Sequence, residues 1–268
     1  KNWNLVAKRV QSDSDPLFPN PKLANHFGDI DVWNGRIYTG NEKFEYGRGF
    51  NIAISVYDAE TLEWIEDIPW CAESGQVEVS GLAVDREKNM IWMSDWVDSR
   101  YVYGYSLETG KYYTKMQCRP MPYWTQGIFI CDGKMLIAAD DGESTYHIAD
   151  NIYIADITQV PYSGLKDGTE VVRDTPFSVK LDKNGKVVTR TGKIAAGAMG
   201  GRLELFREMK DFRRAGEIEG LCIDPTTDDL LVLNNRGTQI ILGMSQGPFK
   251  EEGYTKEIHE VYIYEKVK

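Results

Sequence analysis

Glu217-Ile-Glu-Gly-Leu-Cys-Ile-Asp-Pro-Thr-Thr-Asp-Asp-Leu-Leu-Val-Leu-Asn-Asn235 is the stretch on which the fold turns. Two short apolar runs, residues 221–223 and 230–233, flank a turn of Asp, Pro and Thr. Branched apolar residues interrupted by such turn formers mark a β-hairpin. The hairpin brings Glu217 and Glu219, before its first strand, to the same end as Asn234 and Asn235, after its second. Polar oxygens therefore converge at one end of the unit.

The same design recurs along the chain. Asn34-Gly35 in Asp31-Val-Trp-Asn-Gly-Arg-Ile-Tyr38 lines up with Asp132-Gly133 in Phe129-Ile-Cys-Asp-Gly-Lys-Met-Leu136. Both are two-residue hairpin turns, since Asn or Asp followed by Gly accepts the positive φ of a type I′ turn. Ser80-Gly-Leu-Ala-Val-Asp85 opens a further copy with a longer turn. After each copy comes a third strand-like run, at 52–62, 101–110, 151–158 and 259–265, and the first two runs continue into a fourth, at 63–68 and 111–116. Four antiparallel strands recurring every ~40–50 residues make a propeller blade.

The interval 160–216 is expected to hold a divergent blade, with a hairpin at 177–189 and a short amphipathic helix at 202–214. Leu205, Phe206, Met209 and Phe212 supply the apolar side of that helix. The expected fold is an all-β propeller of four-stranded antiparallel blades, five in number with six as a crowded alternative, in one domain over residues 1–268. The last blade stops after its third strand, while residues 3–10 form an orphan strand at the N-terminus. Pairing of the two closes the ring and removes exposed sheet edges. Residues 42–49, 141–150 and 243–256 read as long loops shaping a binding face.

The formal charge is −10, from 41 acidic against 31 basic residues. A nucleic-acid partner is excluded, because phosphate contacts need clustered Lys and Arg. No apolar run reaches the length of a bilayer span. The acidic balance draws cations to any cleft where carboxylates meet. Four cysteines, Cys71, Cys118, Cys131 and Cys222, lack the CxxC spacing of a zinc site. Cys131 and Cys222 read as buried thiols within strands, and Cys71 and Cys118, at equivalent rim positions of neighbouring blades, as free ones. The chain begins at Lys1 without an initiator Met, and the expectation is a processed or trimmed chain of extracellular or periplasmic location.

Stacking the repeats produces polar columns. Ahead of the inner strands stand His26, Glu78, Trp124 and Glu217, then Gly28, Ser80, Gln126 and Glu219. After the second strands come Asn41, Asp95, Asp140 and Asn235. Inner strands line a propeller's channel, so these columns ring one of its mouths, where Asp29 and Asp31 add further carboxylates. Converging oxygens suit Ca²⁺, which takes six to eight of them. With His26 the lone histidine of the columns and no HxH spacing, a three-His zinc site is disfavoured. A single Asp or Asn at a strand end is equally explained by turn capping. Glu78, Glu217 and Glu219 together are not, since like charges at one mouth need a cation or a basic partner. Trp33, Trp96, Tyr123 and Trp124 suit stacking on a flat ligand and, equally, filling between blades. His147, among acidic neighbours, reads as a solvated loop residue. No GxSxG elbow, P-loop or dinucleotide fingerprint is present.

The patterns Ser80-Gly-Leu-Ala-Val-Asp85 and Glu219-Gly-Leu-Cys-Ile-Asp224 resemble the senescence-marker-protein/gluconolactonase, strictosidine-synthase and phytase-like esterase propellers. The resemblance implies a divalent cation, often calcium, held at the channel mouth, where it polarises a lactone or ester and activates water. Glu219 matches the Glu of that motif, and Asp95, Asp140 and Asn235 fit by column. On this view Glu219, Glu78, Asp95, Asp140 and Asn235 hold Ca²⁺, and His26 or Asp29 is the base. Trp96, Trp124, Gln126 and Glu217 then meet a small-molecule substrate. Two functions stand side by side: a metal-dependent hydrolase of lactones, esters or phosphoesters, and a non-catalytic propeller binding a ligand or protein with at most a structural calcium. Fold alone does not choose between them.

Overall fold

The computed structural model describes residues 4–9, 23–45, 48–97, 99–140, 148–158, 179–181, 187–189, 201–212, 216–236 and 258–267. Blade one comprises β1 (His26–Trp33), β2 (Arg36–Glu45), β3 (Arg48–Asp58) and β4 (Trp64–Pro69), hydrogen-bonded in chain order. Blade two repeats this order with β5 (Leu82–Asp85), β6 (Met90–Ser94), β7 (Tyr101–Ser106) and β8 (Tyr112–Gln117). Blade three begins with β9 (Thr125–Cys131), β10 (Lys134–Ala139) and β11 (Asn151–Asp156). A separate hairpin, β12 (Val179–Leu181) with β13 (Val187–Thr189), follows before β14 (Leu203–Glu208) returns to pair with β11. Blade four is β15 (Glu217–Ile223), β16 (Leu230–Arg236) and β17 (Ile258–Tyr264).

The turns follow from their residues. Asn34 and Gly35 have φ of 50° and 72°, and Asp132 and Gly133 have 49° and 67°, the left-handed pair that a type I′ hairpin requires. Apolar side chains then interlock between successive blades. Ile54, Val56, Leu82, Ile91 and Tyr105 fill the space between blades one and two. Trp92, Val102, Ile128, Met135 and Ile137 fill that between two and three, and Leu136, Ile152, Ile218 and Val232 that between three and four. This sheet-on-sheet burial of branched residues is the main source of cohesion.

The propeller class is as expected. The described residues form four blades rather than five, because β14 completes blade three. In place of the helix expected over 202–214, Leu203–Glu208 form this strand. The free edge of β11 captures it from Asn151↔Glu208 to Ala155↔Leu203, with one bulge at Phe206, and pairing overrides a weak helical pattern. The N-terminal closing strand is also not formed by residues 4–9, which take no strand conformation. Arg9 instead donates from Nη1 to the carbonyl of Leu62 at 2.6 Å, on blade one. All four cysteines are free, but of the two expected to be buried Cys131 is only half-buried and Cys222 is exposed. Residues 42–45 and 48–49, expected in a loop, extend the β2–β3 hairpin. His147 and the loop expected at 243–256 lie outside the described residues. No helix of the described residues is long and apolar enough to cross a membrane.

Candidate functional site

β-bulges aim the polar columns at the axis. Pairing skips Gly28 and Asp29 in β1, Gln126 in β9, and Glu219 and Gly220 in β15. A bulge leaves residues unpaired and redirects their side chains, so three of the four inner strands present polar groups at the same level. The strands approach closely there. A Cβ on Gly127 would lie 2.8 Å from the Glu219 carbonyl oxygen and 2.9 Å from Gly220 Cα, so only glycine fits.

The result is a cavity of about 460 Å³ at the channel mouth. Of the residues expected at the site, His26, Asp29, Glu78, Trp96, Gln126, Glu217, Glu219 and Asn235 line it together. Among the described residues its lining includes four carboxylates and no Lys or Arg. Glu78 Oε2 accepts the Trp96 N–H at 2.7 Å, Glu219 Oε1 accepts from Asn235 Nδ2 at 3.3 Å, and Glu217 Oε2 accepts from Gln126 Nε2 at 3.4 Å. Asn235 Oδ1 in turn meets His259 Nδ1 at 2.6 Å.

Burial without counter-charge disfavours ionisation. It pushes the Glu78 carboxyl up to about 8, with the Glu42 charge adding to the effect. Glu217 is raised to about 8 by burial and then by Glu219, and Glu219 to about 7 by burial, with Asp29 and Asp140 adding to it. Asp29 is raised to about 7 by burial, against the pull of three backbone N–H groups. These donors are its neighbour Ile30 at 2.8 Å, Ile128 of blade three at 3.0 Å, and Leu82 of blade two at a long 3.5 Å. Asp29 is thus a strand-joining group as well as a wall of the cavity.

Three expected residues stand apart from the lining. Asp95, 3% exposed, accepts the N–H groups of Val77 and Glu78 on Oδ1 and the Tyr103 hydroxyl on Oδ2. Asp140 is buried behind the site, its backbone N–H bonded to the Trp124 carbonyl, and it acts on Glu217 and Glu219 through charge. Trp124 holds a left-handed backbone, φ 49°, with its ring 5.9 Å from that of Tyr123. Among the described residues no group of three or more His, Cys, Asp or Glu side chains is placed to hold one metal ion.

Two contributors went unseen in the sequence. Glu42 has no solvent exposure and holds His26 Nδ1 at 2.9 Å through Oε1, and Phe44 lines the cavity with its ring 6.4 Å from that of Trp96. Both lie in a segment read as a loop. The one available signal was the pair Gly47 and Gly49 between Phe44 and Phe50, which suits a hairpin tip.

Fold and site together define a β-propeller with an acidic pocket where its inner strands meet. No family model matches the chain, and no curated protein matches it. Among solved structures it is similar to the β-propeller domain of Cps50 (Swd1) from Myceliophteria thermophila. That likeness has a TM-score of 0.37 and 11% identity, over 81% of this chain and 67% of that one.

Proposed function

We propose that the chain is a ligand-binding propeller whose axial pocket takes a positively charged guest. One observation carries this: Asp29, Glu78, Glu217 and Glu219 line a single cavity whose described lining includes His26 but no Lys or Arg. Crowded, poorly hydrated carboxylates repel one another, and a cation between them offsets that cost. Ca²⁺, favoured from the sequence, belongs to this class of guest. Among the described residues Asp95 accepts from three donors, and no group of three or more His, Cys, Asp or Glu side chains is placed to hold one ion, so a calcium here would draw its remaining ligands from amide or solvent oxygens. Titration calorimetry of Ca²⁺ and organic ammonium ions into the chelator-treated protein tests the proposal. Absence of binding by every cation would overturn it.

The second reading is the metal-dependent hydrolase of lactones, esters or phosphoesters to which the gluconolactonase-like motifs point. The observation in its favour is His26, lining the same cavity with Nδ1 held by a buried carboxylate. That arrangement orients an imidazole as a general base, with Nε2 left for a water or substrate proton. Hydrolysis of a lactone or aryl ester that His26→Ala abolishes would support it; no turnover across such a panel would leave binding alone.

A further inference from the structure

We infer that the guest is an aliphatic di- or polyamine, its ammonium groups divided between Glu78 on one side of the axis and Glu217 with Glu219 on the other. The inference rests on the cation reading above and narrows it. The inner strand β5 packs between β1 and β9, and β15 packs beside the same two strands. β5 and β15 thus both flank β1 and β9, with Glu78 in the segment leading into β5 and Glu217 and Glu219 on β15.

Each of these carboxylates is half-satisfied. Glu78 is only 5% exposed, yet lines the cavity, and its Oε1 accepts no hydrogen bond among the described residues. Glu217 Oε1 and Glu219 Oε2 are likewise without a donor there. None of these oxygens is among the buried atoms that lack a partner, so each reaches the open cavity, where an N–H group bearing positive charge makes the strongest hydrogen bond to a carboxylate. A primary ammonium brings three donors to each end, whereas a quaternary ammonium brings none.

The remaining walls fit the carbon chain between the charges. Phe27, Phe44 and Trp96 line the same cavity, offering aromatic faces to methylenes and to the ammonium heads. The volume of about 460 Å³ lies in the range of small-molecule pockets, far beyond a bare metal ion. Because burial raises these carboxyls towards neutrality, uptake of an amine displaces protons from the pocket.

Calorimetry of the intact protein near neutral pH, with spermidine, Ca²⁺ and tetramethylammonium in two buffers of different ionisation enthalpy, tests the inference. Spermidine should bind about tenfold or more tightly than the other two, with proton release visible as a buffer-dependent heat. Glu78→Gln and Glu219→Gln should each weaken it by about tenfold, the loss of one charged hydrogen bond, while exposed Glu66→Gln leaves it unchanged. Binding of Ca²⁺ or tetramethylammonium without spermidine would overturn the polyamine and leave the cation reading intact. No binding of any cation would overturn both. Spermidine bound equally by parent and both Gln variants would overturn the assignment to this pocket. The ligand panel on the parent protein decides the matter even where a variant folds poorly.

Discussion

His26 Nδ1 stands 2.9 Å from Oε1 of Glu42, a side chain with no solvent exposure whose other oxygen accepts the Val79 N–H at 2.9 Å. Against a carboxylate, Nδ1 carries the hydrogen, and in the neutral ring Nε2 is then the acceptor. In Glu42→Gln the amide oxygen keeps the Val79 N–H, and the amide nitrogen donates to Nδ1. The imidazole hydrogen then moves to Nε2. Nitrogen chemical shifts of His26 should report the tautomer exchange, at a stability cost of about 1–2 kcal/mol in denaturant unfolding. An unchanged tautomer would contradict the pairing.

The cavity carboxyls set a pH dependence of stability. For Glu78 and Glu217, with ordinary values of 4.5 raised to about 8, and for Glu219, raised to about 7, the folded chain holds protons that the unfolded chain releases. Their stabilisation is full below the unfolded value and is lost as pH rises through the folded one. In the absence of a guest the melting temperature should fall between about pH 4.5 and 8, from these groups. Glu217→Gln should flatten that decline. A melting temperature rising across the interval, with no change in the variant, would refute the assignment.

Gly127→Ala tests the closeness of blades three and four. The added carbon meets the backbone of Glu219 and Gly220, which cannot rotate away as a side chain would. A loss of about 1–3 kcal/mol or more is expected from overpacking, measured by urea unfolding. A neutral outcome would mean that the inner strands part without cost.

Leu5 and Val6 are 80% and 95% exposed, in a segment without strand structure. Leu5→Ser and Val6→Ser should therefore shift stability by no more than about 0.5 kcal/mol, as surface substitutions do. A larger loss would reinstate that segment as the closing strand of the ring.

Local chemistry was legible in the sequence, and long-range recruitment was not. Asn34-Gly35 and Asp132-Gly133 specify their turns through their own backbone preferences, whatever lies elsewhere. His26, Glu78, Gln126, Glu217 and Glu219 were found because equivalent positions in a repeat meet at one mouth. Asp95 shares that column, but Tyr103 of the third strand and two backbone N–H groups occupy its oxygens, and spacing does not reveal a competing donor. Leu203–Glu208 joins β11 across a long interval, a pairing decided by an open edge rather than by the strand's own residues.

Asp29 belongs to blade one, yet its carboxyl group takes N–H bonds from blades two and three. Those bonds are strongest when the group is an anion, the form that burial disfavours. Under the proposed cation binding, a positive charge arriving beside Asp29 would tip it to the anion and tighten its hold on both neighbouring strands. Filling the pocket then tensions the ring like a spoke drawn up at the hub, so that slower amide hydrogen exchange at Leu82 and Ile128 would register an event at the axis.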